Sequence, residues 1–317
     1  MNKPKISVII PVYNVEKFVS QALESCINQT LRDIEIIVVD DCGNDRSMEI
    51  VRGYAKQDER IRIIRNSKNL KPLLSRNIGA ITSQADYILF LDADDFLDIG
   101  TCEKMYEIIQ NGQNDNCENL DIVVFGMYRF FTHSQEVIKY QVYEENKFQS
   151  LKDYAEWFYG VKYPWWNLAG RLIKKERYFE TLEIIQKDIQ VAMAEDGLVS
   201  YVLWNCSETF YHTEEILYYY RYNEESSGQT KEINRLRSYL KDYQIVLEEI
   251  KRIYIEFNFN KKITKVFLQQ LMHEYAKMCH EVKMLSGRLS IMDKFKEYFR
   301  KKKFILQRKM RIFLSGI

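Results

Sequence analysis

Only four prolines and twelve glycines occur in 317 residues, beside 17 Phe and 22 Tyr, so neither a disordered chain nor a collagen-like one fits. The six cysteines, Cys26, Cys42, Cys102, Cys117, Cys206 and Cys279, contain no CxxC pair. They read as reduced cytosolic thiols rather than a disulfide frame or a zinc site. The longest stretch free of Asp, Glu, Lys and Arg is Gly197–Ser207. That is well short of the ~20 apolar residues of a membrane span. Met1-Asn2-Lys3-Pro4-Lys5 leads straight into a short strand pattern and is not read as a signal peptide. GxGxxG is missing after the first strand and GxxxxGK[ST] is missing throughout, which disfavours dinucleotide-binding enzymes and P-loop NTPases. Excess charge of one sign is missing too, the formal net charge being +1. With no zinc finger or RNP-like motif, nucleic acid is not an expected partner.

Hydrophobic residues make up 46 % of the chain, enough for a sizeable core. Apolar runs Ile6–Ile10, Ile34–Val39, Ile61–Ile64 and Tyr87–Leu91 alternate with helical patterns at 15–27, 47–56, 73–82 and 101–110. Unbroken Val/Ile/Leu runs separated by single helices predict an α/β fold with a mostly parallel sheet flanked by helices. Ligands of such sheets bind outside the carboxyl ends of the strands. Tyr13-Asn14, Asp40-Asp41 and the group Asp92, Asp94 and Asp95 all fall at such ends. Three carboxylates within four positions repel one another. A hard cation, Mn2+ or Mg2+, is the economical reason for them, because it takes oxygen ligands and bridges carboxylates to phosphates. An acidic, helix-capping turn is the plainer alternative.

Farther on, Asn111–Asn116 reads as a polar loop and Ile122–Phe131 with Val137–Val142 as a hairpin. Gln190–Trp204 reads as a helix and Ile216–Tyr222 as a strand. After Ser226-Ser227-Gly228 the pattern is helical, which suggests a mixed domain over 1–228 and a helical C-terminal region over 229–317. Between Arg288 and Arg311 stand ten Lys/Arg and two acids, a local net of +8, beside an interrupted apolar stripe that includes Phe295, Phe299, Ile305 and Phe313. A basic amphipathic helix of this kind favours an anionic membrane surface; a solvated bundle helix is the competing reading.

In order along the chain, these motifs resemble family 2 glycosyltransferases, which are inverting enzymes of the GT-A (nucleotide-diphospho-sugar transferase-like) fold. The resemblance rests on Ser7–Asn14, Ile36–Asp41, Ser75-Arg76-Asn77-Ile78-Gly79, Phe90–Asp95, Trp166-Asn167 with Arg171-Leu172, Ala194-Glu195-Asp196 and Leu217–Ser227. It covers roughly residues 5–228. Two segments depart from the family pattern. Asp40-Asp41-Cys42-Gly43 stands where DDGS is frequent, and Asn69–Leu74 replaces a glycine-rich approach to Arg76. The stretch from Glu24 to Asp45 is similar to β-1,3-galactosyltransferases that extend bacterial lipooligosaccharide.

The resemblance implies a UDP-sugar donor, possible galactose transfer and a saccharide or lipid-linked acceptor. It implies Mn2+ or Mg2+ held by Asp94 with Asp92, and nucleotide contacts from Pro11, Tyr13, Asp41, Arg76 and Asp92. A carboxylate at Asp41 suits the N3–H of uracil. Asp196, with Glu195 beside it, is the expected catalytic base. His212, Arg221 and Trp166 are candidate diphosphate or acceptor contacts, though a lone His is more often structural and Trp165 and Trp166 fit core packing as well. A sugar-phosphate nucleotidyltransferase and a non-catalytic sugar-nucleotide-binding module are the alternatives. The expected location is cytoplasmic, peripheral on the inner face of the cytoplasmic membrane.

Overall fold

The structure is a computed structural model that describes residues 3–114, 120–160, 165–222 and 230–286. Strands β1 (Ile6–Val12), β2 (Ile34–Asp40), β3 (Ile61–Arg65) and β4 (Tyr87–Phe90) form the parallel half of a ten-stranded sheet. The helices between them are α1 (Val19–Ile27), α2 (Ser47–Ala55) and α3 (Lys71–Thr82). The remaining strands are β5 (Phe96–Leu97), β6 (Ile122–Phe131), β7 (Glu136–Gln141), β8 (Asn146–Phe148), β9 (Arg171–Lys174) and β10 (Phe210–Tyr222). The order is β3-β2-β1-β4-β9-β6-β10-β5, with β7 on β6 and β8 on β10. β9 runs antiparallel to both β4 and β6, and β5 runs antiparallel to β10, so six of the eight strands on this path share one direction.

Side chains of a strand alternate between faces, and here both faces are apolar. Val8, Ile10, Ile36, Val38 and Leu89 face α1, α2 and α4 (Thr101–Asn114). Ile9, Ile37, Val39, Phe90 and Val124 face α3, α5 (Leu151–Gly160), α6 (Lys175–Ile184) and α7 (Glu195–Asn205). Two long helices, α8 (Ile233–Phe257) and α9 (Lys261–Leu285), complete that second face. Their Tyr243, Val246, Ile250, Ile253, Ile263, Phe267 and Leu271 join the same apolar cluster as Leu198, Val202 and Trp204 of α7.

Some expectations shift. The helix expected from Gln190 begins at Glu195, because Ala194 takes a left-handed φ of 65° and the preceding backbone is bonded to α8 instead. α4 runs on through Asn114, into the stretch read as a polar loop. β10 starts six residues before the expected strand and pairs with β6, β8 and β5. The Ser226–Gly228 boundary and the basic stretch 288–311 lie outside the described residues.

Gly79 sets how deeply α3 sits on the sheet. A Cβ there would stand 2.3 Å from Cγ2 of Ile9 on β1 and 3.3 Å from Cγ2 of Val39 on β2. Gly79→Ala is therefore expected to destabilise the fold by about 1–3 kcal/mol through overpacking. That exceeds the up to ~1 kcal/mol gained in helix propensity. Urea unfolding of the two proteins checks the sign.

Candidate active site

The carboxyl ends of β1, β2 and β4 open on the same edge of the sheet as the first turns of α3 and α7. Arg76, on α3, is the centre of this edge. Its side chain is 7 % exposed, and it reaches three carboxylates. Nη2 donates to Asp92 Oδ1 at 2.7 Å, and Nη1 donates to Asp196 Oδ1 at 2.9 Å and to Glu195 Oε1 at 3.3 Å. The Leu168 amide adds a bond to Asp196 Oδ2 at 3.3 Å. Loss of water alone would favour a neutral Arg76; the three carboxylates outweigh this and hold its pKa well above the ordinary value. One cation does not balance three acids. Burial and then the charge of Asp196 push Glu195 up to about 7, and burial raises Asp196 as well despite Arg76.

The three acids after β4 have separate surroundings. Asp92 turns to Arg76. Asp94 is half-buried, and its carbonyl accepts from Arg221 Nε at 2.7 Å. Asp95 is buried; its carboxylate accepts from the Tyr218 hydroxyl and the Arg221 amide, each at 2.7 Å. Burial, then Asp94 and Asp92, raise Asp95 well above the usual carboxylate range. Tyr218 also accepts from the Asp92 amide at 3.2 Å, so one hydroxyl fastens both ends of the acidic turn. The Arg221 guanidinium also bonds Thr132 and Gln21 and lies over the rings of Phe18, Phe96 and Phe130. It braces the acidic turn from behind, where the sequence suggested a diphosphate or acceptor contact.

Asp41 closes the other side of the edge. Its carboxylate accepts from Asn66 Nδ2 at 2.8 Å, the Leu70 amide at 2.7 Å and the Lys71 amide at 3.0 Å. Asp41 therefore holds the segment that starts α3. Cys42 stands in the left-handed region with φ 60°, and its amide bonds Asp40 Oδ1. Tyr13 is 49 % exposed beside this turn, and Pro11 pairs with Val39 one step back. Trp166 lies over the first turn of α7, 3.5 Å from where a Cβ on Gly197 would stand, and stacks on Phe267 with centroids 5.9 Å apart. His212 is placed away from the carboxylates, in a box formed by Tyr143, Phe148, Tyr154 and Trp157. Burial, with Arg171 nearby, pushes its pKa down to about 3, so it is neutral at ordinary pH.

Among the described residues no group of three or more His, Cys, Asp or Glu is arranged to hold a metal ion. Asp92 and Asp94 offer oxygen only. Such a set fits a hard cation that takes one or two carboxylates and completes its shell from a phosphate ligand, and does not fit an all-protein cage. Sequence patterns singled out Arg76, Asp92, Asp196 and Asp41, but not Asn66 or the hydroxyl of Tyr218, whose roles arise from residues distant in the chain.

The raised pKa of Glu195 has a measurable consequence. Between its unfolded value near 4.5 and its folded value of about 7, the folded state holds more protons than the unfolded one. Stability from this group is thus complete below pH 4.5 and is lost as pH rises through about 7. Glu195→Gln, which keeps an oxygen toward Arg76, is expected to flatten the fall in stability across this window. Denaturant midpoints measured from pH 4.5 to 8 check it, and an unchanged slope would contradict the assignment.

A sequence profile described as Glycosyl transferase family 2 matches residues 7–175. The chain is 42 % identical over 112 residues to an uncharacterized glycosyltransferase of Haemophilus influenzae, covering 35 % of this chain and 45 % of that one. It is 31 % identical over 226 residues to the uncharacterized glycosyltransferase EpsJ of Bacillus subtilis, covering 70 % of this chain and 62 % of that one. It thus spans about half to three-fifths of these curated relatives. Among solved structures, S. aureus TarS 1-349 in complex with UDP-GlcNAc superposes with a TM-score of 0.63 at 18 % identity, covering 84 % of this chain and 71 % of that one. The same protein with UDP gives 0.62 at 16 % identity, covering 92 % and 77 %. This likeness establishes the shared fold. With more than half of its residues matched, and with the acidic turn, Arg76 and Glu195-Asp196 gathered at one sheet edge, the chain belongs to glycosyl transferase family 2.

Proposed function

We propose that this protein is an inverting glycosyltransferase that moves a sugar from a UDP-sugar to a hydroxyl of a saccharide acceptor. The observation that carries the reading is Arg76, which joins the donor-side carboxylate Asp92 to the acceptor-side pair Glu195 and Asp196. The UDP and UDP-GlcNAc complexes of TarS support uridine nucleotides as donors. Asp41 has three donors on its carboxylate and about four acceptor positions, which leaves one for the N3–H of uracil. Similarity of the 24–45 stretch to β-1,3-galactosyltransferases makes UDP-galactose and a β-1,3 linkage in bacterial surface glycan or lipooligosaccharide the finer reading.

Asp196 serves as the base. Its carboxylate takes the proton of the acceptor hydroxyl while that oxygen attacks the anomeric carbon and the bond to the diphosphate breaks on the opposite face. Arg76 opposes the pull of burial, which raises the pKa of Asp196. Glu195 shares the same guanidinium. Mn2+ or Mg2+, held at Asp94 and Asp92, would supply positive charge against the departing diphosphate. A nucleotidyltransferase needs no base for an acceptor hydroxyl, the role this reading gives Asp196.

A separate proposal concerns place. No helix among the described residues is long and apolar enough to cross a membrane. The +8 stretch 288–311 suits an anionic cytoplasmic leaflet, where each Lys or Arg is worth ~1 kcal/mol. The full chain is expected to sediment with anionic liposomes and to release in high salt; failure to sediment would remove this role.

Asp196→Asn is nearly isosteric and cannot take the proton. Transfer is expected to fall by ~10²–10⁴-fold while calorimetric UDP affinity is kept. Assays against a panel of UDP-sugars, with Mn2+ and with chelator, identify the donor and the need for metal. The anomeric coupling constant of the product should show inversion, and retention would defeat the scheme.

A further inference from the structure

The segment 185–194, which leads into Glu195 and Asp196, has no regular secondary structure, so its course depends on bonds from outside. α8 supplies two, and a third just before the segment. Glu249 Oε1 accepts from the Gln186 amide at 3.0 Å and Asp242 Oδ2 accepts from the Ala192 amide at 3.0 Å, while Arg252 Nη2 donates to the carbonyl of Ile184, the last residue of α6, at 2.8 Å. Asp242 and Glu249 are each 4 % exposed, on a helix whose Tyr243, Val246, Ile250 and Ile253 lie in the core. A carboxylate is costly to bury unless its oxygens are hydrogen-bonded. Burial raises the pKa of Asp242; the Ala192 amide, the Lys71 ammonium and the Met193 amide oppose this.

Ala192 is two residues from Ala194, whose left-handed backbone turns the chain into α7 and aims Asp196 at Arg76. Ala192 thus stands four residues before the carboxylate along this backbone. Lys71 Nζ reaches the Gln190 carbonyl at 3.2 Å, and the amide of the same lysine is held by Asp41. The base-bearing segment is therefore gripped by α8 on one side and tied to the nucleotide-side loop on the other.

We propose that Asp242 is a positioning residue for Asp196, acting through the Ala192 backbone, so that the working unit includes α8. This rests on the reading of Asp196 as the base. Displacement of a reacting group by about 1 Å can cost 10²-fold in rate. In the full chain, Asp242→Ala is expected to lower kcat by about 10- to 100-fold, with the donor KM within about threefold of wild type. Amide hydrogen exchange over residues 186–196 should become faster. Asp242→Asn keeps an oxygen for the Ala192 amide and should restore most of kcat. A merely structural role would lower the melting temperature and the yield of active sites, but not kcat per folded site.

An active wild type with an unaffected Asp242→Ala, unchanged exchange over 186–196, or equal losses in the Ala and Asn variants would each overturn the proposal. If Asp242→Ala does not fold, Asp242→Ser, whose shorter side chain does not span to the Ala192 amide, must lower kcat and speed exchange in the same segment for the proposal to stand. A wild type that turns over no sugar nucleotide would defeat the transferase reading and this role together, whereas an active wild type with a silent Asp242 defeats this role alone.

Discussion

Arg76 lies almost wholly inside the protein, and a guanidinium stripped of water there needs anions around it. Two elements distant in sequence supply three: Asp92 from the turn after β4, and the successive residues Glu195 and Asp196 at the start of α7. Each must hold its place for the others to be tolerated. Without the cation, Asp92, Glu195 and Asp196 would face one another unbalanced; breaking a buried pair of this sort typically costs about 3–5 kcal/mol. The depth of α3 is set in turn by Gly79 against Ile9, so the sheet and the charge cluster are adjusted to each other.

The cluster carries more acid than base. One guanidinium cannot neutralise three carboxylates, and burial raises the protonation range of Glu195 and Asp196. A base is useful when its pKa lies nearer the working pH than that of a free carboxylate. Asp95 has the opposite task. Buried against Tyr218 and the Arg221 amide, it anchors the turn that carries Asp92 and Asp94. Three acids that look equivalent in sequence are therefore divided by their surroundings.

The parallel half of the fold was legible because β1, β2 and β4 are nearly unbroken apolar runs, buried on both faces. β9 was not read as a strand. Arg171–Lys174 is four residues long, and what makes it a strand is the slot between β4 and β6, to which it bonds on both edges. α7 was placed five residues early because the apolar spacing runs back past Ala194, while the backbone there answers to Asp242 instead of to its own helix. Ordered motifs single out Arg76 and Asp196, which the fold brings together. The resemblance offers His212 and Arg221 as candidate contacts; aromatic rings surround the one, and the other bonds the acidic turn.

The sequence by itself determined the strand–helix alternation, the edge where the polar clusters collect, and the acids and arginine that meet there. These follow from local pattern: apolar periodicity marks what is buried, and charge at a strand end marks what is left at the edge. Tertiary structure alone decided which carboxylates share Arg76, which one is withdrawn to brace the turn, and that α8 grips the approach to Asp196. Those outcomes depend on distances between residues up to 126 positions apart, on burial, and on backbone amides with no signature of their own. Charge and hydrogen-bonding capacity are written in the residue types, but the partner that satisfies each is selected only when the elements pack.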